Sequence, residues 1–420
     1  MNKLLTNRNF LLLWGAQALE QIADSLTLMA LISWIKDVSI LEKATINISF
    51  LMLYIGLPIV LIGPFAGVLL DKMKKRTVMY TAALTRGTAI FAMAVLAGSA
   101  GTEMPYIFAI VFLISAVSQF FIPAKSAIIP SLVPKNKLLA ANSISATTAV
   151  LFQIFTYAAS GLLIEKTGEP EILFTCFLLY LVVAFCVFLI DANEKIEPHK
   201  NITAHNVLHD FLTGIKFLFK NQKVLFMVRR IFFLFMSVGF FYVAIAGDFL
   251  NRIITATGVA IKEVTALGFM QGCLGMGLVA GVFFLQRISK RFSPESIIRI
   301  LFPLMGALII ILFFARNFYY FLASAFFAGL AAVITVSLVE TVIQKNTPDK
   351  LRGKILTAYY IIRNATLAGA SALTGVIIKG GAGIKITEAE IVLLAGMIPF
   401  VYGIVNLAGS LFKKTDRGIR

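Results

Sequence analysis

Long apolar runs, broken only by short charged segments, recur from one end of this sequence to the other and limit the folds open to it. Twelve are legible, with approximate cores at 10–35, 46–70, 77–98, 105–129, 138–164, 171–190, 225–250, 264–287, 296–314, 318–343, 352–378 and 389–412. Each is long enough to cross about 30 Å of hydrocarbon as a helix. Only 14% of the residues are charged and 59% are hydrophobic, whereas a soluble chain carries roughly a quarter charged. The first run, from Phe10 to Ile35, is too long for a signal-peptide core and has no small-residue cleavage site after it. The expected fold is all-α and integral to a membrane, with twelve transmembrane helices.

Basic residues set the expected orientation. With both termini placed in the cytoplasm, 28 of the 38 Lys and Arg fall in inner segments, 8 in outer loops, and Arg86 and Arg363 within spans. So uneven a split predicts a multi-pass protein of the cell (inner) membrane with both ends cytoplasmic. The net charge of +17 does not point to nucleic acid, because the basic residues sit between spans and not on one soluble face. Cys176, Cys186 and Cys273 all lie inside apolar runs without metal-ligand spacing. His205 and His209 are one helical turn apart in the central linker, but no third ligand is evident. No metal site, no cofactor and no nucleotide-phosphate loop is expected.

The two halves repeat. An offset of 214 residues carries Asn7 to Asn221, Gly63 to Gly277, Gly67 to Gly281, Pro134 to Pro348 and Gly161 to Gly375. Six spans per half is an even number, so both halves enter from the same side. That predicts a parallel repeat about an axis along the membrane normal, with the transport site at the interface between the repeats. The expected division is a bundle over 1–190, a linker over 191–223 and a second bundle over 224–420. Within the linker, Val207, Leu208, Phe211, Leu212, Ile215, Leu218 and Phe219 form one apolar stripe on a helix. Lys216, Lys220 and Lys223 suit an anionic inner leaflet. The helix is expected either to lie on the membrane surface or to pack against the span ends.

Between spans 2 and 3 stands Gly67-Val-Leu-Leu-Asp71-Lys72-Met-Lys74-Lys75-Arg76. Gly63 and Gly67 make a small-xxx-small face on which helices can approach closely, and Asp71 at a helix end can bridge to the start of another helix. The segment resembles the signature loop of the major facilitator superfamily, with Lys74 where the second Gly usually stands. The second copy, from Gly281, has Leu285 in place of the acid. Trp14-Gly-Ala-Gln17, Asp24-Ser25, Pro123-Ala-Lys125, Val133-Pro134, Ala141-Asn142 and Thr347-Pro-Asp349-Lys-Leu-Arg352-Gly353 resemble the branch that holds macrolide-efflux proteins, the enterobactin exporter and the lysophospholipid transporter. The Pro-Ala-Lys and Ala-Asn elements resemble the last of these in particular. The Gly-Pro element of antiporters in span 5 is replaced by Ala158-Ala-Ser-Gly161.

Charges inside spans are costly unless paired or hydrated, so they are the candidate functional residues. Glu20 and Asp24 share a face of span 1 at i, i+4. Counted along the helices, Glu20 and Arg86 lie about 15 Å deep, Asp24 and Arg363 about 21 Å and Lys125 about 9 Å. The depths match Arg86 and Lys125 to Glu20. They leave Asp24 to titrate near the midplane and Arg363 without an acid at its depth in its own half, free to meet Asp24 or an anionic substrate group. Two carboxylates one turn apart repel, which favours a proton on one of them. Gln119, Phe121, Gln153 and Asn364 are candidate cavity residues.

The leading expectation is a monomeric secondary transporter that exports an amphipathic small molecule by alternating access, driven by protons. The rival of the same class is a lysophospholipid flippase. The rival of another class, a receptor or scaffold without transport, gains little from embedded charges.

Overall fold

A computed structural model describes residues 6–71, 73–99, 103–192, 194, 204–314, 316–348, 351–380 and 386–418. The elements are helical: α1 (Arg8–Val38), α2 (Leu41–Leu61), α3 (Gly63–Asp71), α4 (Lys75–Ala97), α5 (Met104–Leu132), α6 (Leu138–Thr167), α7 (Glu169–Phe188) and α8 (Ala204–Lys220). They continue as α9 (Gln222–Ala244), α10 (Leu250–Thr257), α11 (Glu263–Ile288), α12 (Pro294–Phe314), α13 (Phe318–Lys345), α14 (Arg352–Ile378) and α15 (Glu388–Gly418). Among the described residues, twelve helical segments are long and apolar enough to cross a membrane. The second begins in α2 and the seventh runs through α9, a π-turn at Ile245–Phe249 and α10.

Contacts group the chain into two compact units. One holds Met1–Val38 and Leu51–Phe211, and the other holds Ser39–Phe50 and Leu212–Arg420. Each unit uses the same internal pairing. In the first, α1 packs on α6 and α7, α3 on α5, and α4 on α5 and α7. In the second, α9 packs on α14 and α15, α11 on α13, and α12 on α13 and α15.

The repeated residues do repeated work. Asn7 and Asn221 both offer a side-chain oxygen to the first turn of a helix. Phe10 N donates to Asn7 Oδ1 at 3.1 Å, and Lys223 N and Val224 N donate to Asn221 Oδ1 at 3.1 and 3.3 Å. Pro134 and Pro348 each open a tight turn whose carbonyl accepts from the third residue on, Lys137 or Leu351, at 2.9 Å.

The glycine face behaves differently in the two units. In the second, an added Cβ at Gly277 would lie 1.9 Å from Phe326 O, and one at Gly281 would lie 2.4 Å from Val333 Cγ1. Small residues there let α11 and α13 touch backbone to backbone. In the first, a Cβ at Gly63 would meet only Gln119 Oε1 at 3.6 Å, and none would meet anything within 4 Å at Gly67. The close approach expected at Gly67 is absent: Gly63 meets only a side-chain end, and Gly67 faces open space.

The linker helix α8 packs through Gly214, where an added Cβ would lie 2.5 Å from Lys354 O and 3.0 Å from Ala358 Cβ at the start of α14. Leu218 of its apolar stripe is buried, whereas Leu212 and Phe219 are exposed. The side chains of His205, Val207 and Leu208 lie outside the described residues.

Candidate functional site

The first unit holds a four-charge cluster. Glu20 and Asp24 stand one turn apart on α1, Arg86 comes from α4 and Lys125 from α5. Arg86 Nη1 donates to Glu20 Oε1 at 3.0 Å and Nη2 donates to Asp24 Oδ1. Lys125 Nζ donates to Glu20 Oε2 at 2.9 Å. One planar fork thus spans both acids, as acids at i, i+4 on a helix permit. Asp24 is therefore held by Arg86 too, and is not left without a partner as the depth count alone implied. The counting argument assigned one acid to each cation, whereas a guanidinium has two outer nitrogens.

Two cations and two acids balance, which is what lets this group stay away from bulk water. Burial within it is uneven. The Arg86 and Glu20 side chains are 2% and 5% exposed, Lys125 is 17% exposed and Asp24 is 40% exposed. Tyr180 of α7 donates to the same oxygen of Asp24, and its ring lies 4.7 Å from the guanidinium carbon. Phe121 is fully buried and covers Arg86 at 5.8 Å and Lys125 at 5.7 Å.

Neighbouring residues position the cluster. Gly87 admits α7, since a Cβ there would lie 3.0 Å from Tyr180 Cβ. Trp14 and Gln17 fix the rotation of α1 by donating to Thr148 Oγ1 at 2.8 Å and Ser145 O at 2.7 Å on α6.

The second unit carries a smaller polar site. Arg363 Nη1 lies 3.5 Å from Glu340 Oε1, and each side chain is 23% exposed. Arg363 does have an acid within reach in its own half, contrary to the depth count. Side chains lean toward the N-terminus of their helix, and α13 and α14 run in opposite directions between their junction and the far side. Arg363 therefore leans back toward that junction while Glu340 leans away from it, which closes the gap. Phe235 and Tyr360 flank the guanidinium at 5.2 and 4.8 Å. Arg363 Nε and the Tyr359 hydroxyl are buried without a hydrogen-bond partner.

At the signature segment, the start of α4 is capped from the linker. Glu194 accepts from Lys75 N at 2.5 Å and from Arg76 N at 2.9 Å, a carboxylate at a helix N-terminus. Arg76 donates to Phe188 O and lies over the Phe188 ring. Lys72 and the Asp71 side chain lie outside the described residues.

Of the candidate cavity residues, Gln119 donates to Ser115 O at 3.1 Å and Asn364 to Tyr360 O at 2.7 Å, each within its own helix. Gln153 is half-buried on α6. Among the described residues, no group of three or more His, Cys, Asp or Glu could hold a metal ion. Sequence reasoning missed Tyr180, Glu194 and Arg230. A tyrosine in an apolar span and a glutamate after it carry no pattern of their own. Arg230, next to Arg229, reads as one more basic residue beside the linker.

The family model of the Major Facilitator Superfamily matches residues 13–373. The chain is 28% identical over 266 residues to the MFS-type transporter YfmI of Bacillus subtilis (strain 168), covering 60% of this chain and 61% of that protein. It is 24% identical over 277 residues to macrolide efflux protein A of Streptococcus pyogenes, covering 65% of this chain and 66% of that protein. The match thus spans under two thirds of either relative's length. Among solved structures, the nucleoside transporter NupG aligns with a TM-score of 0.77 at 13% identity, over 95% of this chain and 99% of NupG. A POT family transporter in complex with a thioalcohol-conjugated peptide aligns with a TM-score of 0.73 at 10% identity, over 96% of each chain. The chain belongs to the Major Facilitator Superfamily and is a multi-pass membrane protein.

Proposed function

We propose that this transporter exports an amphipathic small molecule in exchange for protons by alternating access, with Asp24 as the coupling carboxylate. The carrying observation is the unequal burial of the two acids. Glu20 is enclosed by Arg86 and Lys125, whereas Asp24, on the same helix face, is 40% exposed. A proton reaching Asp24 removes one of two negative charges from a balanced group. Arg86 then keeps one charged partner of two, and the cluster carries a net positive charge. An embedded net charge is costly unless the surroundings change, which is the differential interaction a two-state carrier needs. Glu20 keeps Arg86 and Lys125 in place throughout, so its role is structural.

The relation to macrolide efflux protein A supports export and an amphipathic substrate. The positive-inside split supports both termini in the cytoplasm of an inner membrane. The unit is taken as a monomer, with bundles over 1–190 and 224–420 joined by the linker over 191–223. Gly67, Asp71, Lys72, Lys75 and Arg76 are assigned to a gate at the inner side, and Gln119, Phe121, Gln153 and Asn364 to the substrate path. Arg363, with Glu340, is the second charged site along it.

A second reading is a lysophospholipid flippase, favoured by Pro123-Ala124-Lys125, whose lysine is the one that holds Glu20. Transport in proteoliposomes with a panel of drugs and lysolipids, with and without a pH gradient, separates the two. Gradient-dependent drug movement supports the leading reading. Lysolipid movement without a gradient supports the second, and movement of neither class discards both.

A further inference from the structure

Arg230 is 1% exposed on α9, in the second unit. Its Nη1 is buried without a hydrogen-bond partner. Among the described residues no acid lies within ion-pair distance of it, whereas Arg86 contacts two acids and Arg363 one. Its guanidinium carbon lies 3.9 Å from the centroid of the Phe226 ring, one turn back toward the start of α9. Its other electrostatic neighbours are Tyr402 of α15 and, on α12, Arg299 and Glu295. Arg230, Arg299 and Glu295 together leave one positive charge uncompensated.

A cation–π contact offsets only part of the cost of burying an arginine. An arginine retained at such a position calls for an anion. Depth indicates which kind. Arg230 is eight residues beyond Gln222, about 12 Å along α9, and its side chain leans toward the helix start. The charged group therefore lies near the membrane boundary, just beyond a linker helix that exposes Leu212 and Phe219. The anions concentrated at that depth are phosphates, and the planar fork of arginine suits two phosphate oxygens.

We propose that Arg230 binds a phosphate anion, supplied by the headgroup of an anionic lipid that enters beside Phe226. The site takes one phosphate in a bidentate contact at the buried guanidinium. The assignment of the inner leaflet rests on the orientation proposed above, but the binding does not, and neither does its test.

The test uses the full chain in detergent, where no transport is read. Thermal unfolding of the wild type is followed with added phosphatidylglycerol, phosphatidylcholine or inorganic phosphate. Phosphatidylglycerol is expected to raise the midpoint by several degrees and phosphatidylcholine not to, because a ligand of the native state stabilises it by mass action. An equal shift with inorganic phosphate alone assigns the site to a soluble anion. Arg230→Gln should lose most of the phosphatidylglycerol increment, and Lys166→Gln, an exposed position at the end of α6 in the first unit, should keep it. Equal effects of the two lipids on the wild type, or a full increment in Arg230→Gln, overturn the proposal. Should Arg230→Gln not fold, hydrogen exchange on the wild type decides. Protection by phosphatidylglycerol is expected at the start of α9 and α12, and protection confined to other helices overturns the site.

Discussion

Asp24 and Tyr180 are joined through a single carboxylate oxygen: the phenol donates to Oδ1, the same atom that receives Arg86 Nη2. No described residue bonds to Oδ2 by hydrogen bond. Asp24 is thus anchored on one side and open on the other, as a group that must exchange a proton without losing its place would be. Tyr180→Phe removes one of the two donors that hold Oδ1, so gradient-driven transport should fall while the fold is kept. Wild-type gradient-driven transport in Tyr180→Phe would show that this anchoring of Asp24 plays no part in coupling.

The two acids of α1 should respond differently to neutralisation. Asp24→Asn keeps the volume and the Arg86 contact of a more exposed side chain, and should abolish proton-driven transport with little loss of stability. Glu20→Gln withdraws the charge that meets both Arg86 and Lys125. Stranding a buried cation costs about 3–5 kcal/mol, so its unfolding midpoint should fall clearly below that of Asp24→Asn. Equal stabilities for the two variants, or wild-type coupling in Asp24→Asn, would remove the division of roles.

Orientation can be checked by thiol labelling in intact cells, after replacing Cys176, Cys186 and Cys273. A cysteine in place of Ser39 should react with an impermeant reagent from outside, and one in place of Lys74 should react only after the membrane is opened. The reverse pattern would invert the proposed topology.

Much of this was legible in the sequence, for identifiable reasons. Span count follows from apolar length, and the offset of 214 found Asn and Pro pairs that cap and turn in the same way in both halves. Arg86 was brought level with Glu20 by rise per residue, and Lys125, counted as shallower, reaches it by the length of its stem. Axial depth fails where side-chain reach matters, as at Arg363, whose lean toward Glu340 is set by the direction of α14. It also fails for groups that share a partner, as Asp24 and Glu20 share Arg86. Arg230 was hidden because a basic residue near a span end looks the same from sequence whether its helix face turns inward or outward. Glycine spacing was likewise ambiguous: Gly63 and Gly67 have the spacing of Gly277 and Gly281 but not their contacts.

That last contrast predicts opposite effects at equivalent positions. A methyl group at Gly67 would meet nothing within 4 Å, and alanine is favoured over glycine in a helix by about 1 kcal/mol. Gly67→Ala should therefore leave stability unchanged or raise it slightly. A methyl at Gly281 would lie 2.4 Å from Val333 Cγ1 and 2.7 Å from Leu330 O. The valine can turn but the carbonyl belongs to the backbone of α13, so the two helices must separate. Overpacking of this kind costs about 1–3 kcal/mol, more than the helix preference returns. Gly281→Ala should lower the unfolding midpoint in detergent, and Gly277→Ala, facing Phe326 O at 1.9 Å, should lower it further. If Gly67→Ala is instead the damaging variant, α3 makes a close contact in the membrane that the described packing lacks, and the signature glycine acts through helix approach after all.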